Sequence, residues 1–211
     1  MHYCCAMKLL YQTHSPYARK VLVMAHEIGL APALEVIHQE TSPTLRNDAV
    51  FSVNPLGKVP VLICDDGLTL FDSIVICDYL DGLHSGPRLI PASGRDRFLA
   101  LRLQALAQGI VDAGIAVRWE IERRPAELRW KALAAGQCEK LRAAYDFLER
   151  EADLDGALNI GQIALATALS WIEFRALPSF KPEHPRLTNW YGPFCERPSM
   201  QATDYSGETH D

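Results

Sequence analysis

Two strand-like runs, Val59 to Cys64 and Thr69 to Phe71, are joined by Asp65-Asp66-Gly67, and this hairpin decides the kind of sheet the chain can build. Before it, Lys8-Leu9-Leu10-Tyr11 and Leu34-Glu35-Val36-Ile37 read as strands. Between those two lies a helix with Val21, Leu22, Ala25 and Ile28 as its apolar stripe and Gly29 at its end. A further helix is expected near 43–50, and Ser73 can cap one containing Ile74, Ile76, Cys77 and Leu80. The hairpin marks a mixed sheet with helices over its apolar faces. After a Gly- and Pro-containing stretch, Gly82 to Pro91, every pattern is helical: roughly 93–122, 126–150 and 160–175, then from Pro185 toward Glu196. Asn159 can cap the third of these, with Gln162 answering as a polar analogue of the capping box. The expectation is therefore an α/β domain with a mixed four-stranded sheet over 7–83, a linker at 84–91 and an all-helical bundle over 92–198. Residues 1–6 are expected as an N-terminal extension and 199–211 as a loosely held polar tail.

Charge and cysteine usage narrow the function classes. A formal net charge of -5 and the absence of a basic block argue against a nucleic-acid partner. No apolar run is read as membrane-spanning, and the start lacks the basic and long apolar regions of a signal peptide, so the expectation is a cytoplasmic protein without a membrane partner. The six cysteines form no C-x-x-C and no metal-like pairs, so no metal site is expected. Cys64 and Cys77 fall within apolar patterns and are expected to be buried; Cys4 and Cys5 are the expected exposed thiols.

Three short segments carry the candidate chemistry. In Ser15-Pro16-Tyr17-Ala18-Arg19-Lys20, Ser15 can cap a helix with Pro16 at its first position, where a missing N–H does no harm. A thiolate at such a helix start is stabilised by free N–H groups and a positive local potential, and the Ser15 hydroxyl can add one hydrogen bond to it. Arg19 can contribute charge or brace the site, and Thr13 and His14 are alternative sulfur contacts. In Asn54-Pro55-Leu56-Gly57-Lys58-Val59-Pro60, a cis Val59–Pro60 bond would turn the Val59 backbone toward a peptide ligand, and Lys58 can neutralise a carboxylate. In Asp72-Ser73, a hydroxyl and helix-start amides make a carboxylate seat, while Asp72 can meet an ammonium. No serine triad or G-x-S-x-G elbow is present. Together the segments suggest a site for a small anionic thiol peptide.

These residues resemble the glutathione-binding half of the glutathione transferase superfamily, cytosolic type, with its thioredoxin-like fold. The likeness covers nearly the whole chain. Ser15-Pro16-Tyr17 stands where members carry their sulfur-activating serine or cysteine, Asn54 to Pro60 matches N-P-x-G-K-V-P with its cis proline, and Asp72-Ser73 matches a Glu/Gln-Ser pair. Gly109 to Gly114 and then Arg118 are similar to the pattern of the small bacterial YibF-like branch. The resemblance implies glutathione as co-substrate, with Ser15 at its sulfur, Val59 and Pro60 at the cysteinyl backbone, Lys58 at the glycyl carboxylate and Asp72 and Ser73 at the γ-glutamyl end. It implies thiolate attack on a small electrophile, with Asp112, Ile115, Arg118 and Trp119 as pocket candidates, and a homodimer. Two alternatives use the same site: a glutathione-dependent peroxidase or disulfide reductase, and a non-catalytic ligand-binding protein. Asp72 is one methylene shorter than the family's glutamate, and Asn159 and Gln162 replace its usual Ser/Thr and Asp. Serine at position 15 argues against disulfide exchange by a protein sulfur.

Overall fold

The structure, a computed structural model, describes residues 7–205. The expected extension at 1–6, Cys4, Cys5 and the last six residues of the expected tail lie outside the described residues. The chain divides into two compact units, one running to Ile90 and taking in the segment from Pro198, the other Pro91–Arg197.

The first unit contains β1 (Met7–Tyr11), α1 (Pro16–Glu27), β2 (Leu34–His38), α2 (Asp48–Phe51), β3 (Val61–Ile63), β4 (Thr69–Leu70) and α3 (Ser73–Asp81). The sheet order is β2-β1-β3-β4. β1 and β2 are parallel, while β1–β3 and β3–β4 are antiparallel, so the hairpin does produce the mixed four-stranded, thioredoxin-like sheet. Leu10, Val50, Val59 and Val61 form one buried cluster, with Ile37, Val53, Ile63 and Phe71 packed against it. α2 is a single turn capped by Asn47 rather than a helix across 43–50, because Ser42-Pro43 and the turn after it occupy the earlier residues.

α1 departs from a one-sided amphipathic helix. Every residue from Ala18 to Ala25 is buried, including Arg19 and Lys20. Arg19 is held by the segment at the far end of the chain. Its Nη2 donates to Met200 O at 3.0 Å and its Nε to Thr203 Oγ1 at 3.3 Å, and its guanidinium lies 4.4 Å from the Tyr205 ring centre. A polar segment expected to hang loosely from 199 thus forms α8 (Pro198–Gln201), with Met200 and Thr203 buried. The reason is chemical: a buried guanidinium needs acceptors, and this segment supplies them.

At the other end of α3, fully buried Asp81 accepts the N–H groups of Leu89 and Ile90 at 2.8 and 3.1 Å, and pairs with Arg88 and His84. The stretch read as a linker is therefore folded onto the end of α3. Cys64 and Cys77 are buried thiols.

The second unit is all helical: α4 (Gly94–Arg118), continued by π-helical turns at Trp119–Arg123, then α5 (Lys131–Glu151), α6 (Ile160–Phe174) and α7 (Pro185–Cys195). α6 is its centre, buried on nearly all sides. Asn159 Oδ1 accepts from Gly161 N and Gln162 N, and Gln162 Oε1 accepts from Asn159 N at 2.9 Å, completing the capping box. α4 crosses α6 closely at Gly161, where a Cβ would sit 2.7 Å from Ala100 O. Taken with its π-helical extension, α4 is long and apolar enough by length and mean hydropathy alone (1.3) to cross a membrane, which corrects the reading that no run approaches that length. Arg102 and Asp112 interrupt it, the Arg102 guanidinium lies over the Phe147 ring of α5, and one side packs against α5 and α6.

Candidate functional site

Strand register brings the three segments to one edge of the first unit. Leu10 pairs with Val61, so the antiparallel register continues to set Gln12 opposite Val59. Leu62 pairs with Leu70, which sets Pro60 opposite Asp72 by the same continuation. The turn after β1, the approach to β3 and the exit from β4 therefore share one end of the sheet. From that end α1 and α3 start, each presenting its N-terminus.

Ser15 is the N-cap of α1. Its Oγ accepts the Ala18 N–H at 3.2 Å, and its N–H donates to Gln12 O at 2.9 Å. No described residue accepts the Ser15 hydroxyl proton. The neighbouring Thr13 hydroxyl is instead paired with His38 Nδ1 at 3.2 Å, and the Tyr11 hydroxyl donates to Thr13 O at 3.1 Å. Burial raises the Tyr11 phenol, against the nearby positive charge of Arg19. His14 is half-buried in the same turn.

The Val59–Pro60 bond is cis. Both residues are buried, and neither enters the β3 ladder, which begins at Val61. Asn54 shapes the approach: its Nδ2 donates to Lys58 O at 2.8 Å and its Oδ1 accepts from Leu56 N at 3.0 Å. Gly57 has φ +62, and a Cβ there would fall 2.3 Å from the Phe51 ring, so only glycine suits the turn. Lys58 is exposed and in no ion pair among the described residues.

Asp72, not Ser73, caps α3. Its Oδ1 accepts from Ile74 N at 2.9 Å, and Ser73 is the first helical residue. The shift of one position follows from side-chain chemistry, since a carboxylate reaches the helix-start amides that Ser73, once helical, does not. Asp72 is exposed; Ser73 is buried, and its Oγ has no hydrogen-bond partner. Such an orphaned hydroxyl is unusual in a folded interior.

Sequence reasoning passed over Lys20, which is 4% exposed. Burial lowers its ammonium's proton affinity, with Cys77 and Asp72 acting in the opposite direction.

Asp112, Ile115, Arg118 and Trp119 belong to the second unit. Asp112, Ile115 and Trp119 are spaced to share one face of α4 and its extension, Asp112 exposed and the other two half-buried. Arg118 is buried and donates from Nε to Glu122 at 3.0 Å. The strand register that gathers the front-unit residues does not include them.

Among the described residues there is no metal-like cluster. The edge offers a hydroxyl proton at one helix start, an orphaned hydroxyl and a carboxylate at another, and the cis Val59–Pro60 bond between them. That set can take an anionic, extended peptide.

The chain matches the glutathione S-transferase N-terminal domain family over residues 14–83 and the corresponding C-terminal domain family over 120–192. It is 31% identical to the GST-like protein YibF of Escherichia coli K12, over 94% of this chain and 98% of that one. A glutathione transferase family member from Pseudomonas fluorescens Pf-5, with bound glutathione, is 40% identical with a TM-score of 0.91, covering 95% of this chain and all of that one. A glutathione S-transferase from Methylobacillus flagellatus KT, also with glutathione bound, is 32% identical with a TM-score of 0.84. With both domain families in order and full-length relatives above thirty per cent identity, the chain belongs to the glutathione S-transferase family.

Proposed function

We propose that this protein binds glutathione at the edge formed by Ser15, Val59 and Asp72-Ser73, and presents its thiolate to a small, apolar electrophile. The observation that carries the reading is the Ser15 hydroxyl, which caps α1 through a lone pair and keeps a proton that no described residue accepts. A sulfur above that helix start receives this proton as a hydrogen bond and lies in the positive end of the helix potential. Both effects favour the thiolate over the thiol, whose ordinary pKa is about 8.5. Val59 pairs through its backbone with the cysteinyl unit, Pro60 holds that backbone in place, and Lys58 meets the glycyl carboxylate. Asp72 and Ser73 take the γ-glutamyl ammonium and carboxylate. Glutathione is present in the related structures from Pseudomonas fluorescens and Methylobacillus flagellatus, which supports the choice of ligand.

In the reaction, the sulfur lone pair attacks the electrophilic carbon and the leaving group departs with its bonding electrons. Ser15 remains a hydrogen-bond donor and forms no covalent bond. Asp112, Ile115, Arg118 and Trp119 are assigned to the electrophile. The working protein is a cytoplasmic homodimer with no nucleic-acid or membrane partner; sedimentation at micromolar concentration tests the assembly.

The function is tested by calorimetry with glutathione, followed by product analysis with a panel of electrophiles. Binding together with products that retain the glutathionyl group is the expected result. Accumulation of oxidised glutathione with peroxide or a mixed disulfide indicates the reductase alternative. Binding without turnover of either kind indicates a binding protein.

A further inference from the structure

A cavity of about 450 Å³ opens within the second unit, where the end of α5, the turn after it and the start of α7 meet. Small-molecule sites run from about 300 to 1,000 Å³, so this one admits a compact organic ligand. Glu149 lines it from α5, Leu154 and Asp155 from the turn, and Pro185, Arg186, Asn189 and Trp190 from α7. None of these belongs to the edge that carries Ser15, Val59 and Asp72.

Two of the charged residues are taken up by the fold itself. Glu149 Oε1 accepts the Arg186 N–H at 3.0 Å and Oε2 the Leu187 N–H at 2.9 Å, so one carboxylate closes the start of α7. In return, the Arg186 guanidinium donates to the carbonyls of Leu148, Glu149 and Ala152 and closes the end of α5. This reciprocal capping ties the two helix ends together, so the frame of the cavity is set before any ligand arrives. It also leaves the two charges offset.

Three other lining residues keep their polar groups open. Asp155 donates its backbone N–H to Asp153 Oδ1, but no described residue bonds to its carboxylate. The Asn189 amide and the Trp190 indole N–H likewise have no hydrogen-bond partner among the described residues. The Trp190 ring packs against Phe194, with 5.1 Å between centres. With Glu149 and Arg186 balanced, the remaining charge is the negative one on Asp155. A carboxylate and an aromatic ring in one cavity suit a cation with an apolar body, drawn by the carboxylate and by the ring's electron-rich face. An anion finds no unengaged cation here, and a wholly apolar ligand strips water from Asp155 and Asn189 without replacing its hydrogen bonds.

We propose that this cavity is a second ligand site, selective for small organic ammonium ions, with Asp155 as counter-charge and Trp190 as aromatic wall. It is built from second-unit residues alone and does not rest on the glutathione reading.

The probe is 2-phenylethylammonium, with 2-phenylethanol as its neutral counterpart and 3-phenylpropanoate as an anion of similar shape. The readout is the Trp190 indole signal in proton–nitrogen spectra of the full chain, identified among the four tryptophans by its loss in W190F. A saturable shift with a Kd near about 1 mM is expected, with the alcohol and the anion about fivefold weaker or more. D155N, at an exposed turn position, is expected to weaken the cation about fivefold and leave the alcohol within about twofold. Saturating S-methylglutathione is expected to leave the titration unchanged. No saturable shift by about 10 mM, equal binding of cation and alcohol, or an unaltered titration in D155N overturns the proposal. Displacement by S-methylglutathione also overturns it, since the cation then sits at the front edge. A protein that binds the cation but not S-methylglutathione loses the glutathione reading and keeps this site.

Discussion

Ser15 divides one hydroxyl between two tasks: a lone pair satisfies the Ala18 N–H, and the proton stays available. S15A therefore carries a stability cost as well as a functional one. The loss of the cap is expected to be about 1 kcal/mol in urea unfolding. Gly57 is under a harder constraint, since a side chain there meets both an unfavourable φ and the Phe51 ring. G57A is expected to cost about 1–3 kcal/mol by urea unfolding, whereas an ordinary exposed loop substitution costs no more than about 0.5 kcal/mol. Caps of this kind are legible in sequence because their logic is local, as with Ser15 before Pro16. Arg19 and Lys20 were not legible as buried groups. A charged residue beside an apolar stripe reads as solvent-facing, and only tertiary packing around the whole turn buries it.

Elements show the same division between local and distant causes. The Asn159–Gln162 capping box follows from spacing alone, and the structure contains both of its reciprocal hydrogen bonds. N159A is expected to lower stability by about 1 kcal/mol, measured by urea unfolding. The break after α4 is less readable, because it depends on a contact ten residues ahead. Glu120, buried, accepts the Trp130 N–H at 2.8 Å and the Arg124 Nε–H at 2.7 Å. The Trp130 N–H is the main reason its carboxyl is held below the usual range; burial opposes this and Arg124 reinforces it. A carboxyl whose folded pKa is depressed contributes stability above its ordinary value of about 4.3, and loses it as pH falls through the folded value. Thermal melts of E120Q are thus expected below those of the unsubstituted protein at pH 7, with the gap closing as pH falls below about 4. A gap independent of pH contradicts the ionised role of Glu120.

At the scale of the whole molecule, the chain begins and ends its described course in one unit, with the helical unit inserted between. Arg19 is the closure, a buried guanidinium whose acceptors at Met200 and Thr203 lie more than 180 residues along the chain. Ending the chain after Arg197 strands that charge. It is expected to destabilise the first unit by about 3 kcal/mol or more, read from protection of β1 and α1 amides in hydrogen exchange. The order of elements and the mixed sheet were legible because hairpin and helix periods are short-range signals. The closure at 198–205 was not, since a short polar segment shows no sign of the partner awaiting it. The convergence of Ser15, Val59 and Asp72-Ser73 belongs to this scale too, because the strand register is what sets three distant segments at one edge. The claim that this edge activates a thiol is tested most directly by the ultraviolet thiolate absorbance of bound glutathione across pH, at saturation, for the unsubstituted protein and S15A. The predicted result is a bound-thiol titration about one unit or more below the free value of about 8.5, moving back toward it in S15A. A bound thiol that titrates as it does in free solution would contradict the account.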